Sequence, residues 1–263
     1  MSSENLEIYL NSKTATQYLD NNVADSIFTI PNIEIDILKE DVYVGVKNAV
    51  IPYSWYVVNS TNNKLDITID GTAYSVNIPL GNYNVNTLLT QLKSLIDALQ
   101  TLHSISGSFS ITYLGKINKF YFFHSAKSFS FRSTSTCFEL LGFNDGITYV
   151  ASALPFQTIK HELTSTIGIN LFVVRAVYVN SNNFILQNIN SSTPSNAGIL
   201  ASISTTGNPN SIIHYENTSK HKIHTLNNIN NLHIKLTDQD GDLLELNSIN
   251  WSMTLELTII PKN

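Results

Sequence analysis

The chain carries few charged side chains. Only 13% of its 263 residues are Asp, Glu, Lys or Arg, about half the fraction of an ordinary soluble domain. Arginine occurs only at Arg132 and Arg175, and the formal net charge is −5. A domain that binds nucleic acid through its charge neutralises phosphates with clustered Lys and Arg. This composition therefore disfavours nucleic-acid binding.

Other absences narrow the class of protein further. The single cysteine, Cys137, permits no internal disulfide bond. The first residues, MSSENLEIYL, lack the basic head and apolar run of a secretion signal. No stretch approaches the roughly 20 apolar residues of a membrane-spanning helix. We therefore expect no membrane span and synthesis in a cytosol-like compartment, while 43% hydrophobic residues exclude a disordered chain.

The strongest local pattern is an alternation of apolar and polar residues. Such alternation places one set of side chains on each face of a strand and is typical of antiparallel sheets with one solvated face. The runs are Leu6–Leu10, Ile33–Ile37, Val42–Val46, Leu65–Ile69, Leu232–Leu236 and Met253–Leu257. Asp70-Gly71 predicts a two-residue hairpin turn, and turns are also expected at Gly115-Lys116 and Asp240-Gly241.

Two helices interrupt the strands. Leucines at three- and four-residue steps predict a long helix over 86–102, with Asn86 as its N-cap and the leucine stripe in the core. A short helix is predicted over 136–141. Thr136 and Glu139 would form its capping box, and Gly142 would end it in the left-handed conformation.

The order of these elements suggests an insertion. Residues 62–150 contain a hairpin, the long helix, strands within 108–132 and the short helix, whereas residues 1–61 and 151–263 read as strands only. We predict one β-sandwich from the two flanks, with an inserted α+β subdomain at 62–150. Two sequential domains are the alternative, which is disfavoured because about 60 residues are too few for a sandwich.

A search for catalytic and metal-binding motifs yields no complete site. The phosphate-binding motifs G-x-G-x-x-G and G-x-x-x-x-G-K-[ST] and the nucleophile motif G-x-S-x-G are absent. Cys137, inside the short helix, is predicted to be a buried structural thiol. His161-Glu162 begins like a zinc-protease helix but lacks the second His. Solvated or hydrogen-bonded side chains are favoured over metal ligands for four clustered histidines, His214, His221, His224 and His233.

One acidic turn resembles a calcium loop. Asp238, Asp240 and Asp242 alternate around Gly241, but Leu243 and Ile249 occupy the positions where an EF-hand needs Gly and Glu. We interpret the segment as a solvated hairpin turn, where Asp and Gly are favoured. A weaker calcium site of another type is the alternative.

Clustered aromatic residues suggest either stacking on bases or packing between strands. The first cluster is Tyr53, Trp55 and Tyr56. The second is Phe120–Phe123, which has basic neighbours at Lys116, Lys119, Lys127 and Arg132. The acidic net charge favours strand packing for both clusters. No catalytic, metal-binding or cofactor-binding residues are therefore assigned, and we expect no enzyme activity.

Five segments of the chain carry a resemblance to known proteins: LEIYLNSKTATQY, VYVGVKNAVIPYSWYVVN, NIPLGNYNVNTLLTQL, FRSTSTCFELLGF and IKLTDQDGDLLELNSINWSMTLEL. Together they resemble the penton-type minor capsid proteins of virophages, polinton-like viruses and their giant-virus relatives. The closing D-x-x-G turn followed by L-x-L-N-x-x-x-W-x-x-T-L is similar to the last strands of vertex proteins.

This resemblance implies a fold and a function. The fold would be a single jelly roll, an eight-stranded antiparallel sandwich of two sheets. The function would be that of a minor capsid subunit, made in the host cytoplasm, five copies of which close each fivefold vertex of an icosahedral virion against the major capsid protein. The alternative is a spike or fibre head that binds a host surface receptor.

Overall fold

A computed structural model of the protein describes residues 3–30, 39–155, 157–181, 198–218, 223–225 and 231–262. The chain divides into two compact units. Unit 1 comprises Met1–Trp55 and Val174–Asn263, and unit 2 comprises Tyr56–Val173. Unit 2 extends past residue 150, the predicted end of the insertion, because the strand at Gln157–Thr164 pairs with Lys119–His124 of that unit.

The described residues form β-strands and two α-helices. In chain order these elements are β1 (Glu4–Asn11), β2 (Gln17–Tyr18), β3 (Asp25–Thr29), β4 (Glu40–Pro52), β5 (Lys64–Ile69), β6 (Thr72–Asn77), α1 (Val85–Leu102), β7 (Phe109–Leu114), β8 (Lys119–His124), β9 (Phe129–Phe131), α2 (Phe138–Leu141), β10 (Tyr149–Val150), β11 (Ser152–Leu154), β12 (Gln157–Thr164), β13 (Ala176–Ser181), β14 (Ile199–Ser204), β15 (Ile212–Glu216), β16 (Ile223–Thr225), β17 (Asn231–Thr237) and β18 (Ser252–Pro261).

Unit 1 is built from two antiparallel sheets. In the first the order is β1-β18-β4-β15, with β16 also pairing with β4, and in the second it is β14-β13-β17-β3-β2. β15 and β16 pair with successive stretches of β4, so they act as one interrupted strand. With β2 set aside, the eight strands of unit 1 have the chain-order pattern 1-8-3-6 in one sheet and 2-7-4-5 in the other. This division of strands between two sheets is that of a jelly roll, and the predicted fold class is confirmed.

The alternating runs explain why these segments form a sandwich. Val42, Val44 and Val46 of β4 and Leu255 and Leu257 of β18 are all buried, and the residues between them on β4 and β18 are for the most part less buried. The runs in β1 and β17 behave in the same way. The predicted run at Ile33–Ile37 lies outside the described residues.

Trp251 joins the closing turn to the core of unit 1. Its indole ring is buried, and its Nε1–H donates to the carbonyl of Val23 at 2.7 Å. The ring meets Phe28 edge to face. A buried Trp needs such a partner for its N–H group, so this bond fixes the closing strand against the loop before β3.

Unit 2 contains two further four-stranded sheets, with the orders β10-β9-β5-β6 and β11-β12-β8-β7. The predicted hairpin at Asp70-Gly71 is present, with φ of 52° and 78° at its two central residues. These positive angles define the turn geometry that favours Asp-Gly. The hairpin predicted around Gly115-Lys116 joins β7 to β8.

The helix boundaries differ slightly from those predicted. α1 begins at Val85, and its N-cap is Asn84 rather than Asn86. The side chain of Asn84 accepts the N–H of Thr87 at 3.0 Å, and the hydroxyl of Thr87 accepts the N–H of Asn84, which makes a reciprocal capping box. Most of the leucine stripe of α1 is buried, as expected.

The capping box predicted for the short helix is wrong. α2 begins at Phe138, and its N-cap, Cys137, makes no side-chain cap. The hydroxyl of Thr136 instead accepts the N–H of Lys64 at 3.1 Å, because this segment is tied to the start of β5. Gly142 ends the helix with φ of +79°, as predicted.

Aromatic rings fill the core of unit 2. Phe122 lies at its centre, within 4.9–6.4 Å, centroid to centroid, of four other rings. Those rings belong to Phe109, Phe120, Phe131 and Phe143. The buried cluster containing them runs from Val57 to Ile169 and consists only of unit 2 residues. Unit 2 therefore has a hydrophobic core of its own.

Candidate interaction surface

The clustered histidines do not form a metal site in the described part of the chain. His214 is exposed on β15, and His233 on β17 contacts Asp25 of β3. His224 belongs to β16, and His221 lies outside the described residues. His161 lies on a strand, β12, and not on a helix. Within the ranges that the structure describes, no three His, Cys, Asp or Glu side chains converge.

The acidic turn uses its first carboxylate for the backbone. Oδ1 of Asp238 accepts the N–H groups of Asp240 and Asp242, both at 2.9 Å. Burial is the main cause that raises the pKa of Asp238, and the neighbouring carboxylates add to it. A carboxylate that closes its own turn is the arrangement expected of a hairpin, which supports the interpretation made from the sequence.

Most of the predicted aromatic contacts lie inside the protein. Tyr53 and Trp55 are buried and stack at 4.3 Å between ring centroids, whereas Tyr56 is 37% exposed. In the second cluster Phe120 and Phe122 are buried. Two of its basic neighbours are engaged elsewhere: Lys119 donates to the carbonyl of Thr166, and Lys127 pairs with Asp70. Strand packing therefore accounts for Phe120 and Phe122, whereas Tyr53 and Trp55 pack in the segment that follows β4.

Cys137 is buried at the start of α2. Burial in apolar surroundings is the main cause that raises the pKa of its thiol. Since the thiolate is the reactive form of cysteine, this thiol is suited to packing and not to nucleophilic chemistry.

No helix in the described ranges is long and apolar enough to cross a membrane.

The outer face of the first sheet of unit 1 carries a strongly exposed aromatic residue. Tyr9 of β1 is 76% exposed, and its hydroxyl donates to Oε2 of Glu7 at 2.8 Å. Glu7 also accepts from Nζ of Lys47 on β4. We call this group the Tyr9 surface; its members are Asn5, Glu7, Tyr9, Lys47, Glu256 and Thr258.

A β-bulge puts the lysine of the Tyr9 surface in place. Thr254 pairs with Asn48 and Leu255 with Val46, so Lys47 is the extra residue of β4. Glu7 and Glu256 are directly opposite on neighbouring strands, an arrangement that is repulsive without a cation. The hydrogen bond from Lys47 lowers the pKa of Glu7, and the pKa of Lys47 is raised in return.

Part of the Tyr9 surface could be predicted from the sequence. Alternation in β1 placed Glu7 and Tyr9 on the polar face. The bulge, and with it the position of Lys47, has no sequence signal because it depends on the pairing register of β4 with β18. The Tyr9 surface thus combines an exposed aromatic ring, a residue type enriched in protein contacts, with an ion pair between Glu7 and Lys47.

The second sheet of unit 1 contains another charged group. Asp25 of β3 is nearly buried and contacts both His233 and Lys235 of β17. Nζ of Lys235 lies 3.3 Å from Oδ2 of Asp25. His233, which was predicted to be solvated or hydrogen-bonded, therefore has Asp25 as its partner on the neighbouring strand.

Comparisons with known proteins identify the fold. The crystal structure of the mavirus penton protein matches with a TM-score of 0.53 at 14% sequence identity, over 99% of this chain and 100% of that chain. The Sputnik virophage structure matches less well, with a TM-score of 0.42 at 13% identity over 97% of each chain. No family model and no curated protein sequence matches. The chain therefore has the fold of the mavirus penton protein, as the sequence resemblance predicted.

Proposed function

We propose that this protein is a structural subunit of an icosahedral virion, a penton-type minor capsid protein that closes the fivefold vertices. The observation that carries the proposal is the full-length match in fold to the mavirus penton protein. In this role five copies contact one another and the major capsid protein. The proposal assigns no catalysis and no cofactor to the chain.

The surface chemistry supports assembly. A ring around a fivefold axis repeats one pair of unlike patches until it closes. The cores of such contacts disfavour charged residues and favour aromatic ones. The composition, with 13% charged residues, and the exposed ring of Tyr9 are in keeping with these preferences. Hydroxyl and amide groups can also hydrogen-bond a neighbouring copy without the desolvation cost of ions.

The proposal is tested by mass and by location. Native mass spectrometry of the purified protein at high concentration should give five times the 29.3 kDa chain mass. Electron cryomicroscopy of purified virions should place density of this shape at the fivefold positions. Absence of the protein from purified virions overturns the structural role. A trimer in solution and on the particle overturns the vertex role alone.

An attachment head is the second proposal, and unit 2 is the observation that favours it. Unit 2 has its own core and is inserted between two strands of the jelly roll. A host-binding module would need such independence. Tyr53 and Trp55 are buried, so these two aromatic residues are not available for contact with a host receptor. Binding of labelled protein to host cells or to a glycan array supports this role, and no signal in both assays rejects it.

A further inference from the structure

Two histidines face each other inside unit 2. His124, the last residue of β8, is fully buried, and His161 of β12 is its direct cross-strand partner. Directly opposed residues of antiparallel strands have Cβ atoms about 4.5–5.5 Å apart on the same face of the sheet. Phe109 of β7 flanks His124 on the other side, with its ring edge to face. His124 therefore lies between a second imidazole and an apolar ring.

Hydrogen bonds determine the tautomer of His124. Its Nδ1 accepts the backbone N–H groups of Ala126 and Lys127 at 3.1 and 2.9 Å. Nδ1 therefore carries no hydrogen, and in the neutral ring Nε2 does. The amide nitrogen of Gln100 lies 2.9 Å from Nε2 of His124. Two N–H groups cannot bond to each other, so we assign the reversed amide, in which the carbonyl oxygen of Gln100 accepts from Nε2–H.

The neutral ring of His124 has one nitrogen, Nδ1, that can accept a second proton. Nε2 already carries a hydrogen, so the proton must bind at Nδ1, toward which two N–H groups point. Both of those bonds must break first, which opens the turn at 125–127. The neighbouring His161 also presents a buried Nδ1 that has no hydrogen-bond partner among the described residues. Proton uptake by His124 therefore requires the turn at 125–127 to open.

Of the charged groups that act on His124, Asp70 favours an added proton and Lys127 opposes it. From the turn, Lys127 faces His124, and its Nζ lies 2.6 Å from Oδ2 of Asp70. On α1, the nearby carboxylate of Asp97 pairs with Lys93. Each carboxylate is thus already paired with a lysine. Burial first, then His161 and Lys127, lowers the pKa of His124, while Asp70 opposes the shift.

The end of α1 packs directly on this group. Gln100 belongs to the last turn of α1, and a Cβ on Gly107 would lie 2.9 Å from Cε1 of His124. Gln100 and Gly107 also line a cavity of about 480 Å³, together with Asp97 and Ser108. The contact of this helix end with the β7–β8 hairpin therefore depends on a neutral His124 ring.

We propose that His124, which lies between His161 and Phe109, is an acid-sensitive latch. Proton uptake by His124 in mildly acidic solution releases the turn at 125–127 and the last turn of α1, and it widens the cavity that Gln100 and Gly107 line. Both histidines belong to unit 2, so the jelly roll of unit 1 keeps its structure in the same pH range. Unit 2 thereby loosens locally while unit 1 stays folded.

Hydrogen exchange measured by mass spectrometry tests the latch on the full chain. Exchange is compared at pH 7.5 and 5.0 after correction for the intrinsic rates. For one histidine with an open-state pKa near 6.5, opening should increase up to about 30-fold at pH 5.0. The effect is expected in 99–108 and 125–127, with β18 as the internal reference. Equal protection of these segments at both pH values overturns the proposal.

Three variants separate the latch from a general acid effect. His124→Asn retains an acceptor near the position of Nδ1 but takes up no proton, so protection should become independent of pH. Because His161 lowers the pKa of His124, His161→Asn should strengthen the acid response. The matched control His214→Asn, whose side chain is exposed on β15, should leave it unchanged. An acid response that persists in His124→Asn, or one that is unchanged in His161→Asn, rejects the proposal. If His124→Asn fails to fold, the wild-type exchange data and His161→Asn decide.

Discussion

Asp66 and Asp70 lie four residues apart in unit 2 but have different surroundings. Asp66 of β5 is 5% exposed and is contacted by Lys64 and by the hydroxyl of Thr134. Burial opposes its ionisation, but hydrogen bonds from Thr134, Ser75 and Lys64 outweigh this, so the pKa of Asp66 lies below its ordinary value. Asp70 lies in the exposed turn, where its side chain pairs with Lys127.

We predict that Asp66→Asn lowers the free energy of unfolding by about 1–3 kcal/mol, because a buried charged hydrogen-bond network loses its acceptor. The matched control Asp70→Asn should cost less than about 1 kcal/mol, as exposed ion pairs do. Urea denaturation measures both. Because the folded pKa of Asp66 is depressed, its contribution is present above the ordinary pKa and is lost as the pH falls through the folded pKa. Equal costs for the two variants would contradict this account.

Cys137 should not react in the folded protein. It is fully buried, and burial raises the pKa of its thiol, so little thiolate is available for attack. We expect a thiol reagent to modify no cysteine in buffer and one cysteine in denaturing urea. Rapid modification in buffer would show that the start of α2 opens readily.

At the level of elements, the N-terminus of α1 shows how far local sequence predicts a boundary. Asn82, Asn84 and Asn86 all have side chains suited to capping. Asn82 is used elsewhere, since its Oδ1 accepts the N–H of Val57. Thr87 lies three residues after Asn84 and completes the box with it. The leucine stripe predicts that a helix forms, but contacts with the surrounding chain determine which of the three asparagines caps it.

We predict that Asn84→Ala destabilises unit 2 by about 1 kcal/mol, the usual cost of losing an N-cap. Asn86→Ala should be nearly neutral, because Asn86 lies in the first turn with an exposed side chain. Thermal unfolding of the two variants side by side distinguishes them. A larger loss of stability in Asn86→Ala than in Asn84→Ala would show that Asn86 is the N-cap, as predicted from the sequence.

At the level of the whole molecule, two separate cores should respond separately to mutation. Phe122 lies in the core of unit 2, and Leu255 is buried in unit 1. Phe122→Ala should destabilise unit 2 by about 3–5 kcal/mol through the cavity it leaves, and Leu255→Ala should destabilise unit 1 by about 2–5 kcal/mol.

Hydrogen exchange locates these two losses. Phe122→Ala should reduce protection in β7 and β8 while β4 and β18 keep theirs, and Leu255→Ala should do the reverse. Loss of protection throughout the chain from either substitution would mean that the two units unfold as one.

The sequence by itself determined the strand-rich fold class, the helix in the middle, the hairpin at Asp70-Gly71 and the burial of Cys137. These follow from periodicity and turn chemistry, which act between residues close in the chain. Tertiary structure alone decided the extension of unit 2 to Val173, the bulge that presents Lys47 beside Tyr9 and the pairing of His124 with His161. Each depends on which strands pair and in what register, and that choice is made by packing between residues far apart in the chain.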